Sequence, residues 1–164
     1  MSLEHRVAVL EKRLQVLEDQ EKVRRALARY GFNADLGRSE EYLAVWSKDG
    51  VYDLDGGELN GEAAIREMIS SPTGTHKAHI ENRSMHAVGN LLIEIEGDTA
   101  WAEGYSVVWV RDAQGKHQPM SAGYNHWDFE RRGEEWLMTR RTRREVGGPV
   151  WGGEIIKRYL GGPA

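Results

Sequence analysis

The chain has 164 residues, with 22 Lys and Arg against 26 Asp and Glu and a formal net charge of −4. That length fits one domain, which can bury about 70% of its unfolded surface around a single core. Cysteine is absent, excluding a disulfide scaffold, a zinc ribbon and a thiol nucleophile, and the acidic balance argues against a nucleic-acid binder.

Leu3, Val7, Leu10, Leu14 and Leu17 recur at alternating spacings of four and three, a heptad seam that predicts a helix over residues 1–22. Two heptads are short for an isolated coiled coil, so this helix is expected to pack on its own domain or on a neighbouring subunit. The apolar phase then moves to Val23, Ala26, Leu27 and Tyr30, predicting a bend or a second helix from Asp19, with Gly37 as its stop. Ser39 is placed to cap a short helix bearing Tyr42, Leu43 and Trp46. Val51 to Leu54 reads as a strand, and Asn60 as the cap of a helix carrying Ala64, Ile65, Met68 and Ile69; residues 71–84 read as a loop. Four strands follow, over 84–96, 99–111, 117–131 and 136–146, turning at Gly97-Asp98, at 112–116 and at Gly133. Helices followed by an antiparallel meander predict an α+β domain with a curved sheet wrapped on its helices. Residues 147–164 are Gly-rich yet hold Trp151, Ile155, Ile156, Tyr159 and Leu160, so this tail is expected to pack on the domain or on a neighbour.

No run reaches the ~18 apolar residues of a membrane span, and the first thirty residues lack a signal-type apolar stretch. A cytoplasmic location with no membrane partner is the expectation. Among the six histidines, His86 opens a strand and reads as inward-facing. Patterning alone favours a half-buried imidazole bonded to a neighbouring carbonyl over a proton-transfer group. Asp35 and Tyr30 lie near a helix C-terminus, where the helix dipole disfavours a carboxylate and calls for a compensating partner. His76, His79 and Glu81 match no zinc spacing, so no metal is expected. Arg140, Arg141, Arg143 and Arg144 make a basic run that alternation divides between two sheet faces, leaving one free to point inward toward an oxyanion or carboxylate. No phosphate-cradling glycine motif and no G-x-S-x-G elbow occurs. Six Trp and six Tyr stand against two Phe, a bias toward aromatics with polar handles that suits a pocket as well as a core.

The run from Val23 to Tyr30, then Asp35, Trp46, Asp49-Gly50-Val51-Tyr52, Gly61, His86, the Gly97-Asp98-Thr99-Ala100 turn and the Arg131/Arg132, Gly133, Trp136 hairpin resemble the SnoaL-like branch of the nuclear transport factor 2-like superfamily. The resemblance spans about residues 20–146 and is nearest to lyases of the bile-acid 7α-dehydratase and scytalone dehydratase type. It implies a cystatin-like cone: a strongly bent, mostly antiparallel sheet closed by helices around an apolar cavity. By the same resemblance, Asp35, His86 and Tyr30 are the catalytic residues of a cofactor-independent dehydratase-like lyase, or of an isomerase, acting on a hydrophobic cyclic small molecule. Trp46, Tyr52, Trp109, Tyr124, Trp127 and Arg131 are expected to line its pocket. Trp109 stands where the bile-acid enzyme carries a further acid, so its substrate does not transfer. The alternatives are a non-catalytic binding or assembly protein of the same fold, or a dioxygenase β-subunit-like protein. A homo-oligomer is expected, a trimer first and a dimer next.

Overall fold

A computed structural model describes residues 1–150 and 152–156; the tail residues Trp151, Tyr159 and Leu160 lie outside the described residues. One helix, α1 (Leu3–Asp35), runs unbroken through the point where the change of apolar phase predicts a bend. Its two apolar stripes serve different surroundings. Residues up to Leu17 stand almost wholly in solvent, whereas Val23, Ala26, Leu27, Tyr30 and Ala34 are buried against the domain. Asp19 starts no new helix: it is buried, with its carboxylate bound by Arg131 and Trp136. Gly37, at φ +65°, supplies the left-handed residue that ends α1.

Next come α2 (Ser39–Leu43), β1 (Trp46–Leu54), β2 (Gly57–Asn60) and α3 (Gly61–Ser70). Neither Ser39 nor Asn60 makes the side-chain cap expected of it. The reading of 71–84 as loop misses one π-helical turn, His76–Ile80. Then follow β3 (Ser84–Glu96), β4 (Thr99–Arg111), β5 (His117–Arg132) and β6 (Glu135–Glu145), and a short 3-10 turn over Gly152–Ile156.

The six strands form one sheet in the order β2-β1-β6-β5-β4-β3. The expected meander β3–β6 is antiparallel throughout. The strand legible only at 51–54 is longer, forms a hairpin with β2, and docks parallel to β6. The fold is thus α+β, with helices against one face of a curved, mostly antiparallel sheet.

Alternation along β4 and β5 decides what that face presents. β4 turns Ala100, Ala102, Gly104 and Ser106 toward the helices, and β5 turns Asn125, Trp127 and Phe129 the same way. Ala102 pairs with Trp127 and Ala100 with Phe129, so small side chains make room for large rings beside them. Tyr42, Trp46, Ile65, Ile69, Trp136 and Met138 complete the core. A register shift, with Asp128 opposite Arg140 but Phe129 opposite Met138, places both Met138 and Arg141 on the inner face.

Candidate active site

α1 ends at Asp35 against the start of β3, and a glycine permits the close approach. A Cβ at Gly31 would lie 3.2 Å from the Cβ of His86. The backbone N–H of Asn82 donates to the Asp35 carbonyl at 2.7 Å, tying the helix end to the segment that leads into β3.

The Asp35 carboxylate gathers three donors. The imidazole Nδ1 of His86 lies 2.6 Å from Oδ1, the His86 backbone N–H donates to Oδ2 at 2.8 Å, and the Ser84 hydroxyl donates to Oδ1. These bonds supply the compensation that a carboxylate at a helix C-terminus requires. Burial pushes the Asp35 carboxyl up, but the bonds from His86 and Ser84 outweigh it and hold the group below its ordinary range. An ionised Asp35 fixes the proton of His86 on Nδ1. Nε2 makes no hydrogen bond among the described residues.

The Tyr30 ring stands edge-on to His86, with ring centroids 6.3 Å apart and planes at 85°. Tyr30 also packs on Tyr42 at 4.7 Å and on Trp46 at 6.2 Å, and Trp46 on Tyr52 at 5.9 Å. Trp127 completes this aromatic wall from β5.

At its centre sits the guanidinium of Arg141, 3% exposed. It donates to Asn125 Oδ1 from Nε at 3.0 Å and from Nη2 at 2.7 Å, and to the Tyr30 hydroxyl oxygen from Nη1. Its carbon lies 4.8 Å from the Tyr52 ring centroid, 4.9 Å from that of Tyr30 and 5.8 Å from that of Trp127. No carboxylate pairs with it among the described residues. Burial works against its charge, but its electrostatic interactions with Tyr30, Tyr52 and Tyr42 and the hydrogen bond to Tyr30 more than offset this, so it stays protonated. Burial pushes the Tyr42 and Tyr52 phenols up, keeping them neutral. The expected apolar interior is therefore aromatic, with a buried cation in it. The indole N–H groups of Trp46 and Trp127 are buried without a hydrogen-bond partner among the described residues, donors that native interiors seldom leave unpaired.

Asp35, His86, Tyr30, Trp46, Tyr52 and Trp127 are thus brought together. Three other expected pocket residues are not. Register pairs His86 with Val108 and Met85 with Trp109, so Trp109 lies on the opposite face of the sheet from His86. There it lines an outer groove of about 440 Å³ with Met85, Arg111 and His117. Tyr124 is likewise on the outer face, packed on Tyr105 at 5.3 Å, with Gly152 of the 3-10 turn against it. Arg131 holds Asp19 through two bonds of 2.9 and 2.8 Å and Asp98 through one of 2.9 Å, and stacks on Trp136 at 4.5 Å. It fastens α1 to the β5–β6 hairpin, away from the site.

Sequence reasoning leaves open which arginine of the basic run turns inward. The structure sends Arg140 and Arg144 outward to Asp53 and Arg141 inward. Strict alternation from the buried Trp136 and Met138 would continue to Arg140; only the register shift transfers the inward position to Arg141. Asn125 and Ser84 have no mark in the sequence, because polar residues at strand positions carry no signal of their own. His76 is half-buried near the site, and burial lowers its pKa. Among the described residues no three His, Asp or Glu side chains are grouped to hold a metal ion.

A profile described as the SnoaL-like domain matches residues 15–142. A protein from Novosphingobium aromaticivorans, described as NTF2-like with a cystatin-like fold, is 33% identical. The likeness covers 90% of this chain and 94% of that one, with a TM-score of 0.82. A Catenulispora acidiphila protein solved in complex with S-DNPA is 20% identical over 76% of this chain and 91% of its own, with a TM-score of 0.62. A Novosphingobium aromaticivorans protein provisionally described as the β subunit of an aromatic-ring-hydroxylating dioxygenase is 21% identical over 81% and 92%, with a TM-score of 0.66. The last two likenesses show shared fold alone. No functionally curated protein matches the sequence significantly.

Proposed function

The chain belongs to the SnoaL-like family, and from that premise we propose that it is a cofactor-independent lyase or isomerase acting by proton transfer on a hydrophobic cyclic carbonyl compound. The observation that carries this reading is the 2.6 Å contact between Asp35 and His86 Nδ1, which leaves Nε2 to act as a base on a ring that packs against Tyr30, whose hydroxyl contacts a buried cation.

In this reading Nε2 takes a proton from the carbon next to the substrate carbonyl. Asp35 stabilises the imidazolium that results, an arrangement typically worth ~10²–10⁴-fold. The electron pair moves onto the carbonyl oxygen. The Tyr30 hydroxyl accepts from Arg141 and so keeps its own proton to donate to that oxygen, and the guanidinium steadies the negative charge as it grows. The imidazolium then returns its proton, to a departing hydroxyl in a dehydration or to another carbon in an isomerisation. Trp46, Tyr52 and Trp127 offer flat apolar walls to a ring and exclude water from the charged intermediate. A non-catalytic binding role uses the same walls but gives no part to the imidazole.

The test is solvent exchange. A panel of cyclic ketones and β-hydroxy carbonyl compounds is incubated with the protein in D₂O, and loss of the α-proton signal is followed by NMR. Deuterium uptake that disappears in both Asp35→Asn and His86→Ala, with unchanged circular dichroism, is the expected result. Binding of panel members without exchange would refute catalysis in favour of ligand holding. Exchange that survives both substitutions would refute the assignment of the base.

A further inference from the structure

The N-terminal seam is accounted for neither by the fold nor by the site. Leu3, Val7, Leu10, Leu14 and Leu17 are 73%, 44%, 59%, 56% and 61% exposed, although they belong to the same unbroken helix that carries Tyr30 and Asp35. Nothing among the described residues covers them. Over these residues the helix projects roughly 21 Å, at about 1.5 Å per residue.

In heptad positions Val7 and Leu14 are a, and Leu3, Leu10 and Leu17 are d. The charges at the flanking positions then fall into two classes of one sign each. Position e is Glu4, Glu11 and Glu18, and position g is Arg6, Arg13 and Gln20. None of these charged side chains forms an ion pair among the described residues. In a parallel, in-register pair of helices, g of one heptad faces e of the partner's next heptad. Arg6 would then face the partner's Glu11, and Arg13 the partner's Glu18, in both directions across the axis. In an antiparallel pair, g faces g and e faces e, which sets Arg against Arg and Glu against Glu.

We infer that the occupant of this seam is a second copy of the same chain, with the two helices parallel and in register. Two heptads would be marginal as free peptides, but here α1 is already held in helical form by its buried C-terminal half. Association therefore does not have to nucleate the helix. The pattern ends where the domain begins: the next a and d positions are Glu21 and Arg24, which are paired with each other within the helix at 3.2 Å. The seam is thus confined to the projecting part. A third copy added around a threefold axis would preserve the same g-to-e contacts. The inference is independent of what the site catalyses.

The 164-residue chain permits a direct test, because it contains no cysteine of its own. Leu3→Cys, oxidised under dilute conditions, is expected to give a disulfide-linked pair, since position 3 meets its own copy only in the parallel arrangement. Glu11→Arg/Glu18→Arg and Arg6→Glu/Arg13→Glu each set like charges against one another at both g-to-e contacts. Each is expected to lower the mass by light scattering while circular dichroism stays that of the folded domain. Co-expressed, with one carrying an affinity tag, the two variants are expected to co-purify, because their flanks complement one another. A native protein that is monomeric at ~50 μM, or charge variants that both keep the native mass, would overturn the inference. Cross-linking of Leu3→Cys to Leu17→Cys in a mixture, with no Leu3→Cys self-linking, would overturn the parallel register.

Discussion

Replacing Asp35 by Asn changes one atom of the site and tests the reasoning behind it without a known substrate. In the native protein Oδ1 accepts from Ser84 and from His86 Nδ1, while Oδ2 accepts the His86 backbone N–H at 2.8 Å. An amide has one acceptor oxygen. If that oxygen takes the place of Oδ2, the NH₂ group points at Nδ1 and the ring must move its proton to Nε2, destroying the base. If it takes the place of Oδ1, the NH₂ group meets the backbone N–H and a buried donor is left unpaired, at a cost of about 1–3 kcal/mol. Either way the charge assistance to three bonds is lost, so the expected destabilisation is about 2 kcal/mol. For a chain of this size that is a fall in Tm of roughly 4–8 °C. Because the folded pKa of Asp35 lies below its unfolded value, its contribution is fully present above the unfolded pKa and fades as the pH falls through the folded one. The deficit of Asp35→Asn should therefore be constant near neutrality and shrink in acid. ¹⁵N NMR of the imidazole nitrogens gives the proton position directly, and thermal unfolding from about pH 3 to 7 gives the energy. An unchanged tautomer together with a Tm shift below ~1 °C would refute the claim that Asp35 holds His86 in its basic form.

Arg131→Met leaves Asp19 buried without its guanidinium and should cost about 2–4 kcal/mol, toward the lower end of what a broken buried pair loses because Arg131 is partly solvated; the His86 NMR signals should stay in place. Gly31→Ala puts a methyl group 3.2 Å from the His86 Cβ; the overpacking, about 1–3 kcal/mol, is offset by about 1 kcal/mol of helix propensity gained, so the expected outcome is a perturbed Nδ1 proton resonance with little or no gain in the unfolding midpoint. His126, bonded to Glu103 at 2.9 Å and to Asp128 at 3.1 Å, has its pKa lowered by burial but raised more by these carboxylates, for a net rise. Its stabilisation should be complete below pH ~6.5 and fade as the pH rises through the folded pKa, and a denaturant series showing the same pH dependence in His126→Gln would count against it.

The long strands are legible in the sequence because glycine turns bound them and alternation fills them; β3 to β6 fall within a residue or two of the expected limits. The bend at Asp19 cannot be judged the same way. A shift of apolar phase signals either a new helix or one helix with two different neighbours, and local pattern does not say which. The parallel docking of β1 on β6 joins residues about ninety apart, beyond any local signal. Motif resemblance is enough to single out Asp35, His86 and Tyr30, which the structure brings together, whereas the choice among the arginines of the basic run depends on a register shift. One inserted residue inverts every later side chain of a strand. The resemblance points instead to Arg131, on β5, which the structure ties to Asp19, while the buried arginine beside Tyr30 is Arg141, on β6. The same ambiguity of parity misplaces Trp109 and Tyr124.

The charged groups of the interior differ in how they are satisfied, and the difference bears on the proposed chemistry. Asp35 has three donors around one carboxylate, and Asp19, at the far end of the domain's share of α1, faces the guanidinium of Arg131 directly. Arg141 instead has an amide oxygen, a phenol and three ring faces, all of them neutral. Such partners keep a cation protonated without cancelling its charge, so its field remains available inside a low-dielectric site. A neutral ketone gains little from that field at rest, and its enolate gains much. Stabilisation that grows as charge develops is what lowers a barrier rather than merely tightening binding. On the proposed reading, that is why Arg141 is paired with Tyr30 and Asn125 instead of with the carboxylate of Asp35, which is committed to His86.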